Sequence, residues 1–363
     1  MSVKKYLRRN QNLWISVLLL VVVIKIFSLN RNWVEELYTS KFYFFFSEIL
    51  RLLFGWIPFS LGDILYLIAG CWLFWKLIKN IRLLFRKKLT GKMMLVKGLK
   101  LILILTFIYI VFNILWGINY NRKGIANQLA LADLRYDTSD LIMLQQVLLQ
   151  KVNSSKSAVV LDNEKYPSKN EMFQKAKDSY KEAQKIYPFL QLNNLSVKSS
   201  LYSMLGNYLG FTGYYNPFTG EAQVNTTVPK FLQPYITTHE IAHQLGYAKE
   251  NEANFVGYLA AVKSRDTLFH YSAYFELFLY ANREVYYFDS AASKKALKLL
   301  IPEIKKDIIE LRKFNLDHTS FLEPWITWMY GKYLKLNQQP QGIHSYNAVV
   351  AMLIAYYKKY GKI

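Results

Sequence analysis

Two histidines and a glutamate form the part of the sequence best suited to chemistry. His239 and His243 are four residues apart in the stretch TTHEIAHQLGY, and Glu240 directly follows the first of them. On a helix this spacing is about one turn, so both imidazoles leave the same face and can bind one Zn²⁺. The carboxylate of Glu240 is then placed to act as a base on a water at the metal. We therefore predict a zinc centre on a helix that contains these residues.

A third ligand is expected from the segment that follows. Gly246 comes three residues after His243 and is typical of a left-handed helix stop, after which a new helix can return Glu250 or Glu252 to the metal. Residues two apart on a helix point about 200° away from each other, so only one of these carboxylates can face the metal.

The two helix faces separate the candidates. The face of Glu250 continues through small residues, namely Ala253, Asn254, Gly257, Ala260 and Ala261, whereas that of Glu252 continues through Phe255, Val256 and Leu259. Since small side chains let helices approach closely, we predict Glu250 as the ligand and Glu252 as the alternative. Asn254, one turn after Glu250, is predicted to hydrogen-bond a ligating histidine.

Other chemically capable residues give weaker signals. His344 and Tyr346 precede or begin the last predicted helix and are weak candidates for a group that stabilises an oxyanion. Cys71 is the single cysteine of the chain, so an intramolecular disulfide is ruled out. It lies within an apolar run and gives no sign of a thiol nucleophile.

Three apolar runs precede the metal motif, and each is long enough to cross a membrane. They cover residues 13–29, 57–75 and 101–118. A cleaved signal peptide is the alternative for the first run, but no small-x-small cleavage site follows it, which favours an anchor. The aromatic stretch between the first two runs predicts an interfacial helix. Asp63 is predicted to lie at the membrane interface, with a buried functional carboxylate as the less favoured alternative.

The formal charge of +21 is unevenly distributed. Residues 1–120 hold 17 Lys and Arg against 4 Asp and Glu, and the basic residues flank the apolar runs. This pattern indicates membrane orientation, and no nucleic-acid motif accompanies it. The basic N-terminus and the basic loop at 79–100 belong in the cytoplasm, so three spans place residues 121–363 outside the inner membrane.

The fold expected from these patterns is mainly α. A three-helix transmembrane region, residues 1–120, precedes a mostly helical, zincin-like (α+β) domain with a small sheet, residues 121–363. The stretch GEAQVNTT, just before the metal helix, predicts a strand at a sheet edge, where an extended substrate could pair with it.

The stretch HEIAHQLGYAKENEANFVGYLA resembles the gluzincin-type zinc metalloproteases, in which two histidines and a downstream glutamate bind the metal. ENEAN also resembles the E-x-x-A-N/D helix of small HExxH peptidases. With the three spans, the WGINYNR junction and the GEAQVNT strand, the chain resembles a bacterial family of unknown function with this layout. The third histidine of metzincins would fall at Lys249, which sets that group apart.

These features predict a multi-pass inner-membrane zinc metallopeptidase that hydrolyses peptide or protein substrates on the outer side of the membrane. The alternatives are an amidase acting on cell-wall peptides and a non-catalytic zinc scaffold or sensor. A sealed metal site would favour the scaffold, and an open one facing a groove would favour hydrolysis. The expected cofactor is Zn²⁺ and the expected partner is the lipid bilayer; the sequence does not indicate an oligomeric state.

Overall fold

The computed structural model describes residues 2–86, 90–131, 133–162, 165–337, 339 and 348–363. The described chain is mainly helical and contains one small sheet. Its α-helices are α1 (Val3–Arg9), α2 (Gln11–Leu29), α3 (Arg31–Trp33), α4 (Phe44–Phe54), α5 (Leu61–Phe85), α6 (Gly91–Leu115), α7 (Ile125–Gln128), α8 (Thr138–Leu161), α9 (Lys169–Gln184), α10 (Ser203–Leu209), α11 (Gln233–Gln244), α12 (Glu250–Ala261), α13 (Thr267–Phe288), α14 (Ser290–Lys298), α15 (Pro302–Asp317), α16 (Glu323–Leu336) and α17 (Val349–Tyr360). The described residues also form a π-helix (Val34–Tyr43) and two 3₁₀ helices (Gly117–Asn121 and Pro188–Leu190).

Three helices, α2, α5 and α6, are long and apolar enough to cross a membrane, which confirms the three predicted apolar helices. Their bounds differ from the predicted ones: α2 begins at Gln11 instead of 13, α5 covers Leu61–Phe85 instead of 57–75, and α6 covers Gly91–Leu115 instead of 101–118. The second helix begins only at Leu61, because the Ser60 hydroxyl caps its first turn by accepting from the Asp63 amide at 3.0 Å. The third ends at Leu115, and residues 117–121 form a buried 3₁₀ helix instead of the end of a span.

The segment between α2 and α5 is helical, but one side of it is buried against the C-terminal domain. Tyr43 donates a hydrogen bond to the Gln244 carbonyl at 2.9 Å, and buried Arg51 donates to the Asn193 carbonyl at 3.2 Å. The opposite side keeps the exposed apolar surface expected of an interfacial helix. This segment therefore connects the membrane region to the domain.

Asp63 is fully buried by protein groups, which the sequence prediction did not favour, while its predicted depth at the membrane interface stays a prediction. Its carboxylate accepts hydrogen bonds from the Leu201 amide at 2.6 Å, from the Ser200 hydroxyl at 3.2 Å and from the Tyr214 hydroxyl. These donors replace the water that an ionised group at an interface would keep. Asp63 thus fastens the start of α5 to the domain.

The sheet contains β1 (Val197–Ser199), β2 (Gly213–Asn216) and β3 (Glu221–Val224) in the order β1-β3-β2. β3 pairs in parallel with β1 and antiparallel with β2. The strand predicted at an edge is therefore central and buried on both faces, because β1 supplies a second partner that lies about 25 residues upstream. The edge position beside α11 belongs to β2.

Helix α11 lies at the centre of the domain, and each of its residues is buried. The sheet packs against one side of it, and α9, α12 and α13 pack against the others. A helix that is enclosed on all sides can hold polar side chains only where partners or a cavity receive them. The histidines of α11 are such side chains.

Candidate metal centre

The two histidines lie on consecutive turns of α11, as their spacing predicts. Their ring centroids are 4.8 Å apart and the rings are nearly perpendicular. The helix stops at Gly246, which has a left-handed φ of +80°, and the Tyr247 amide donates to the Ala242 carbonyl at 3.2 Å. A Cβ at position 246 would also lie 3.0 Å from Asn119 Oδ1, so both backbone conformation and space require glycine there. The chain then turns directly into α12.

Glu250, the first residue of α12, lies beside both histidines. Its Oε2 is 3.3 Å from His239 Nε2 and 3.7 Å from His243 Nε2, and the three side chains are buried. Ligand atoms about 2.1 Å from a tetrahedral zinc are separated from each other by roughly 3.4 Å. The observed separations lie on either side of that value. In the part of the chain that the structure describes, this group could hold a metal ion.

Glu252 points elsewhere. Its carboxylate fills the space beside Gly124 that a Cβ at position 124 would need, and it lies 3.5 Å from the Lys249 ammonium. The structure thus places Glu250, and not Glu252, with the two histidines. The difference follows from their angular separation on α12.

Neighbouring polar groups orient two of the three candidate ligands. The His243 Nδ1 lies 2.7 Å from the Tyr247 carbonyl, to which it donates when Nε2 carries the lone pair for a metal. The Tyr330 hydroxyl donates to Glu250 Oε1 at 2.9 Å. His239 Nδ1 is buried without a hydrogen-bond partner among the described residues.

Of the other predicted site residues, Asn254 lies in the described part of the chain, and His344 and Tyr346 do not. Asn254 is buried in the wall of the same cavity, and its carbonyl accepts a hydrogen bond from the Tyr235 hydroxyl at 2.8 Å. Its predicted hydrogen bond to a ligating histidine stays a prediction. His344 and Tyr346 lie outside the described residues, so their predicted role as oxyanion-stabilising groups also stays a prediction.

Glu240 is 3% exposed and packs against the edge strand β2. A Cβ at position 213 would lie 2.5 Å from Glu240 Oε1, so the close packing needs Gly213. Its Oε2 has no hydrogen-bond partner among the residues described. Burial raises the pKa of Glu240 to about 7, although the charges of His239 and His243 oppose the rise. A carboxylate with this pKa suits proton transfer near neutral pH.

Glu250 and the histidines influence each other strongly. Burial lowers the pKa of His243, but the hydrogen bond and negative charge of Glu250 outweigh it and raise this pKa to about 9. Burial raises the pKa of Glu250, and hydrogen bonds from His239 and His243 outweigh it and hold this pKa well below its usual range. The buried Glu250 charge therefore needs a nearby cation, either a proton on the imidazoles or a metal ion.

Donors from the N-terminal region cover the end of α11, which sequence reasoning did not foresee. The Trp116 indole donates to the His243 carbonyl at 3.2 Å, and Tyr43 donates to the next carbonyl. Arg122 donates to the Leu245 carbonyl at 3.2 Å and forms an ion pair with Glu35 at 2.8 Å. They add hydrogen bonds to carbonyls at the end of the helix, where the regular helical pairing stops. The sequence signal for these contacts was the polar and aromatic WGINYNR junction, which follows the third apolar run and contains Trp116 and Arg122.

The candidate ligands and Glu240 all face a cavity of about 810 Å³. Apolar and aromatic side chains form most of its wall, and they come from α5, α6, β2, α13 and α16. The wall includes Tyr66, Phe112, Tyr214, Tyr280 and Tyr333. The candidate metal centre is therefore buried within the protein but faces an internal space of a size typical of ligand sites.

The comparison with protein families gives one match. The model of a family described as "Protein of unknown function (DUF3810)" matches residues 38–354. No curated protein and no solved structure matches the chain. The matched range includes the helices α5 and α6 and the whole candidate metal centre. The chain therefore belongs to the DUF3810 family.

Proposed function

We propose that this protein is a membrane-anchored, zinc-dependent peptidase with a gluzincin-like centre. One observation carries the proposal: His239, His243 and Glu250 converge as a buried set, and the unpaired carboxylate oxygen of Glu240 lies beside them in the same cavity. Buried ionisable groups that converge at one cavity, with a carboxylate oxygen that has no partner among the described residues, indicate a functional site.

The donor set fits Zn²⁺. Two imidazole nitrogens and one carboxylate oxygen are ligands that zinc prefers, and three protein ligands are typical of catalytic zinc sites, which leave a position open. When bound, Zn²⁺ lowers the pKa of a coordinated water and polarises a carbonyl. The α11 helix, the adjoining strand and the returning glutamate on α12 support a zincin-like assignment of the domain.

Within this proposal Glu240 is the general base. It accepts a proton from the attacking water and passes that proton to the amine that leaves when the peptide bond breaks. Burial raises the pKa of this carboxylate, and a positive charge at the centre would oppose that rise. Gly213 holds β2 against this carboxylate, and β2 is the edge strand of the sheet and lines the cavity. An extended peptide can pair with this edge and present its carbonyl to the centre.

The cavity favours hydrolysis over a structural zinc, because a structural site is closed by protein ligands and faces no open space. An amidase for cell-wall peptides would use the same groups, so substrate tests separate it from a peptidase. The three apolar helices support a membrane location, and the basic flanks support an orientation with residues 121–363 outside the cytoplasmic membrane.

The test uses the full-length protein, purified in detergent and compared with Glu240→Gln. Elemental analysis measures bound zinc. Mass spectrometry detects cleavage products in a mixture of peptides and cell-wall muropeptides. We expect zinc near one per chain in both proteins and new peptide termini only with the wild type. Hydrolysis of amide bonds in the muropeptides alone would favour the amidase. Absence of zinc from the wild type would overturn the proposal.

A further inference from the structure

Helix α16 has two different faces. Ile326, Tyr330 and Tyr333 line the cavity. The rest of the helix surface carries exposed apolar side chains: Trp328, on the opposite side, is 60% exposed, and Trp325 and Met329, on the flank, are 68% and 63% exposed. A helix at a water-facing surface normally places polar side chains there. This surface combines exposed tryptophan and methionine with exposed Lys332 and Lys335, and no described residue covers it.

The exposed apolar surface continues beyond α16. Phe321 precedes the helix, and Leu201, Met204 and Leu205 lie on or beside α10 and are also exposed. The ring of Tyr208 on α10 lies 5.1 Å from that of His318, just before α16. Helices α10 and α16 contact each other and line the same cavity, so these exposed residues are treated as one apolar surface beside it.

This surface adjoins the candidate membrane spans. The Tyr202 hydroxyl, at the start of α10, donates to the Asp63 carbonyl in the first turn of α5 at 2.8 Å. On the other side of the cavity, Tyr333 of α16 forms a hydrogen bond of 3.1 Å with Tyr120, which follows α6. The apolar surface is thus continuous with the ends of α5 and α6 at which these spans meet the domain.

The cavity extends to the ends of α5 and α6 that meet the domain. Its wall includes Tyr66 of α5 and Phe112 of α6, which lie five and three residues inside the ends of these helices. At about 1.5 Å per residue, these side chains start roughly 5–8 Å from the span ends. The metal-bearing cavity therefore lies close to the bilayer surface.

We infer that α16 lies in the outer interface of the membrane and that the substrate is the membrane-proximal segment of a membrane-anchored polypeptide. Tryptophan residues on one helix face suit the headgroup boundary, and Lys332 and Lys335 are exposed and can reach anionic phosphates from it. Lys332 lies over the Trp328 ring at 5.6 Å. The membrane contact stands on its own, whereas the substrate class rests on the proposed peptidase function.

A spin-label experiment tests the membrane contact. In the full-length protein with Cys71→Ser, Met329→Cys carries a nitroxide in lipid nanodiscs that contain phosphatidylglycerol. Ile309→Cys on α15, which is 67% exposed, is the matched control. We expect the label at 329 to be more accessible to oxygen than to a water-soluble nickel chelate, and the label at 309 to show the reverse.

Two results would overturn the membrane contact. One is a label at 329 that is as accessible to the nickel chelate as the label at 309. The other is dipolar broadening between labels at 329 without oxygen accessibility, which would assign the α16 face to a second copy of the chain.

The substrate class is tested with one peptide in two forms, free in solution and attached through an acyl chain to vesicles that also hold the full-length protein. We expect the anchored form to be cleaved about tenfold faster or more, since anchoring raises its local concentration at the cavity. Equal rates at matched bulk concentration, abolished by Glu240→Gln, would overturn the substrate class and leave the peptidase standing. Cleavage of neither form would overturn both, while the label at 329 still decides the membrane contact.

Discussion

Gly257 of α12 passes so close to His239 of α11 that a Cβ at position 257 would lie 3.0 Å from both the Cα and the backbone nitrogen of the histidine. This is a contact between two helix backbones with no side chain between them. The close approach positions Glu250, two turns earlier on α12, within 3.3 Å of His239 Nε2. The small-residue face on α12 thus brings Glu250 to the two histidines and is part of the architecture of the candidate metal centre.

Gly257→Ala is expected to weaken this centre. Alanine gains about 1 kcal/mol in helix propensity. Overpacking against backbone atoms costs about 1–3 kcal/mol and moves α12 away from the histidines. We expect a lower melting temperature and reduced zinc content, measured by calorimetry and elemental analysis. Gly98→Ala is the matched control, because a Cβ there meets nothing within 4 Å; equal effects of both changes would contradict the prediction.

Glu250→Ala should lose stoichiometric zinc, whereas Glu252→Ala should retain it. The first change removes a carboxylate beside both histidines, and the second removes one that packs against Gly124. Zinc per chain after dialysis against a weak chelator measures the difference. Retention of zinc by Glu250→Ala together with its loss from Glu252→Ala would show that the ligand has been assigned to the wrong residue.

Glu240→Gln should keep the fold and the zinc but lose peptide hydrolysis by a factor of about 10²–10⁴, the usual contribution of a general base. Glutamine has nearly the same shape as glutamate but cannot accept the proton of the attacking water. Turnover of a cleaved peptide and zinc content are measured on the same sample. Unchanged turnover would reject Glu240 as the base, and zinc loss would make it a ligand.

Arg122→Ala should destabilise the junction between the membrane region and α11. The change leaves Glu35 partly buried without its ion pair and the Leu245 carbonyl without its donor. Removing one partner of a buried ion pair typically costs about 3–5 kcal/mol. Thermal unfolding in detergent measures the loss. Arg135→Ala is the control, since its ion pair with Asp133 is exposed to water, and it should change the melting temperature little.

The orientation of the domain can be tested with reporter fusions. A periplasmic reporter fused after Tyr120 should be active and a cytoplasmic reporter should be inactive, because the basic residues lie at the N-terminus and in the loop between α5 and α6. Fusions at the loop between α5 and α6 should give the opposite pattern. Activity of only the cytoplasmic reporter after Tyr120 would overturn the three-span topology.

Several features follow from the sequence alone because their causes are local. The spacing of His239 and His243 places them one turn apart on any helix, and Gly246 ends that helix wherever it lies. The angle between Glu250 and Glu252 on one helix allows only one of them to face the histidines, and the small residues on the face of Glu250 favour that residue. The apolar runs likewise predict three long helices, since hydropathy and length suffice to identify them.

Tertiary structure decided the features that depend on residues far apart in the chain. Tyr43 and Gln244 are separated by 201 positions, and their hydrogen bond has no local signature. β3 became a central strand only because β1 pairs with its free side, and Asp63 is buried only because donors from residues 200–214 surround it. The open apolar face of α16 emerges in the same way, because helical period shows that a helix has two faces but not which of them the rest of the protein covers.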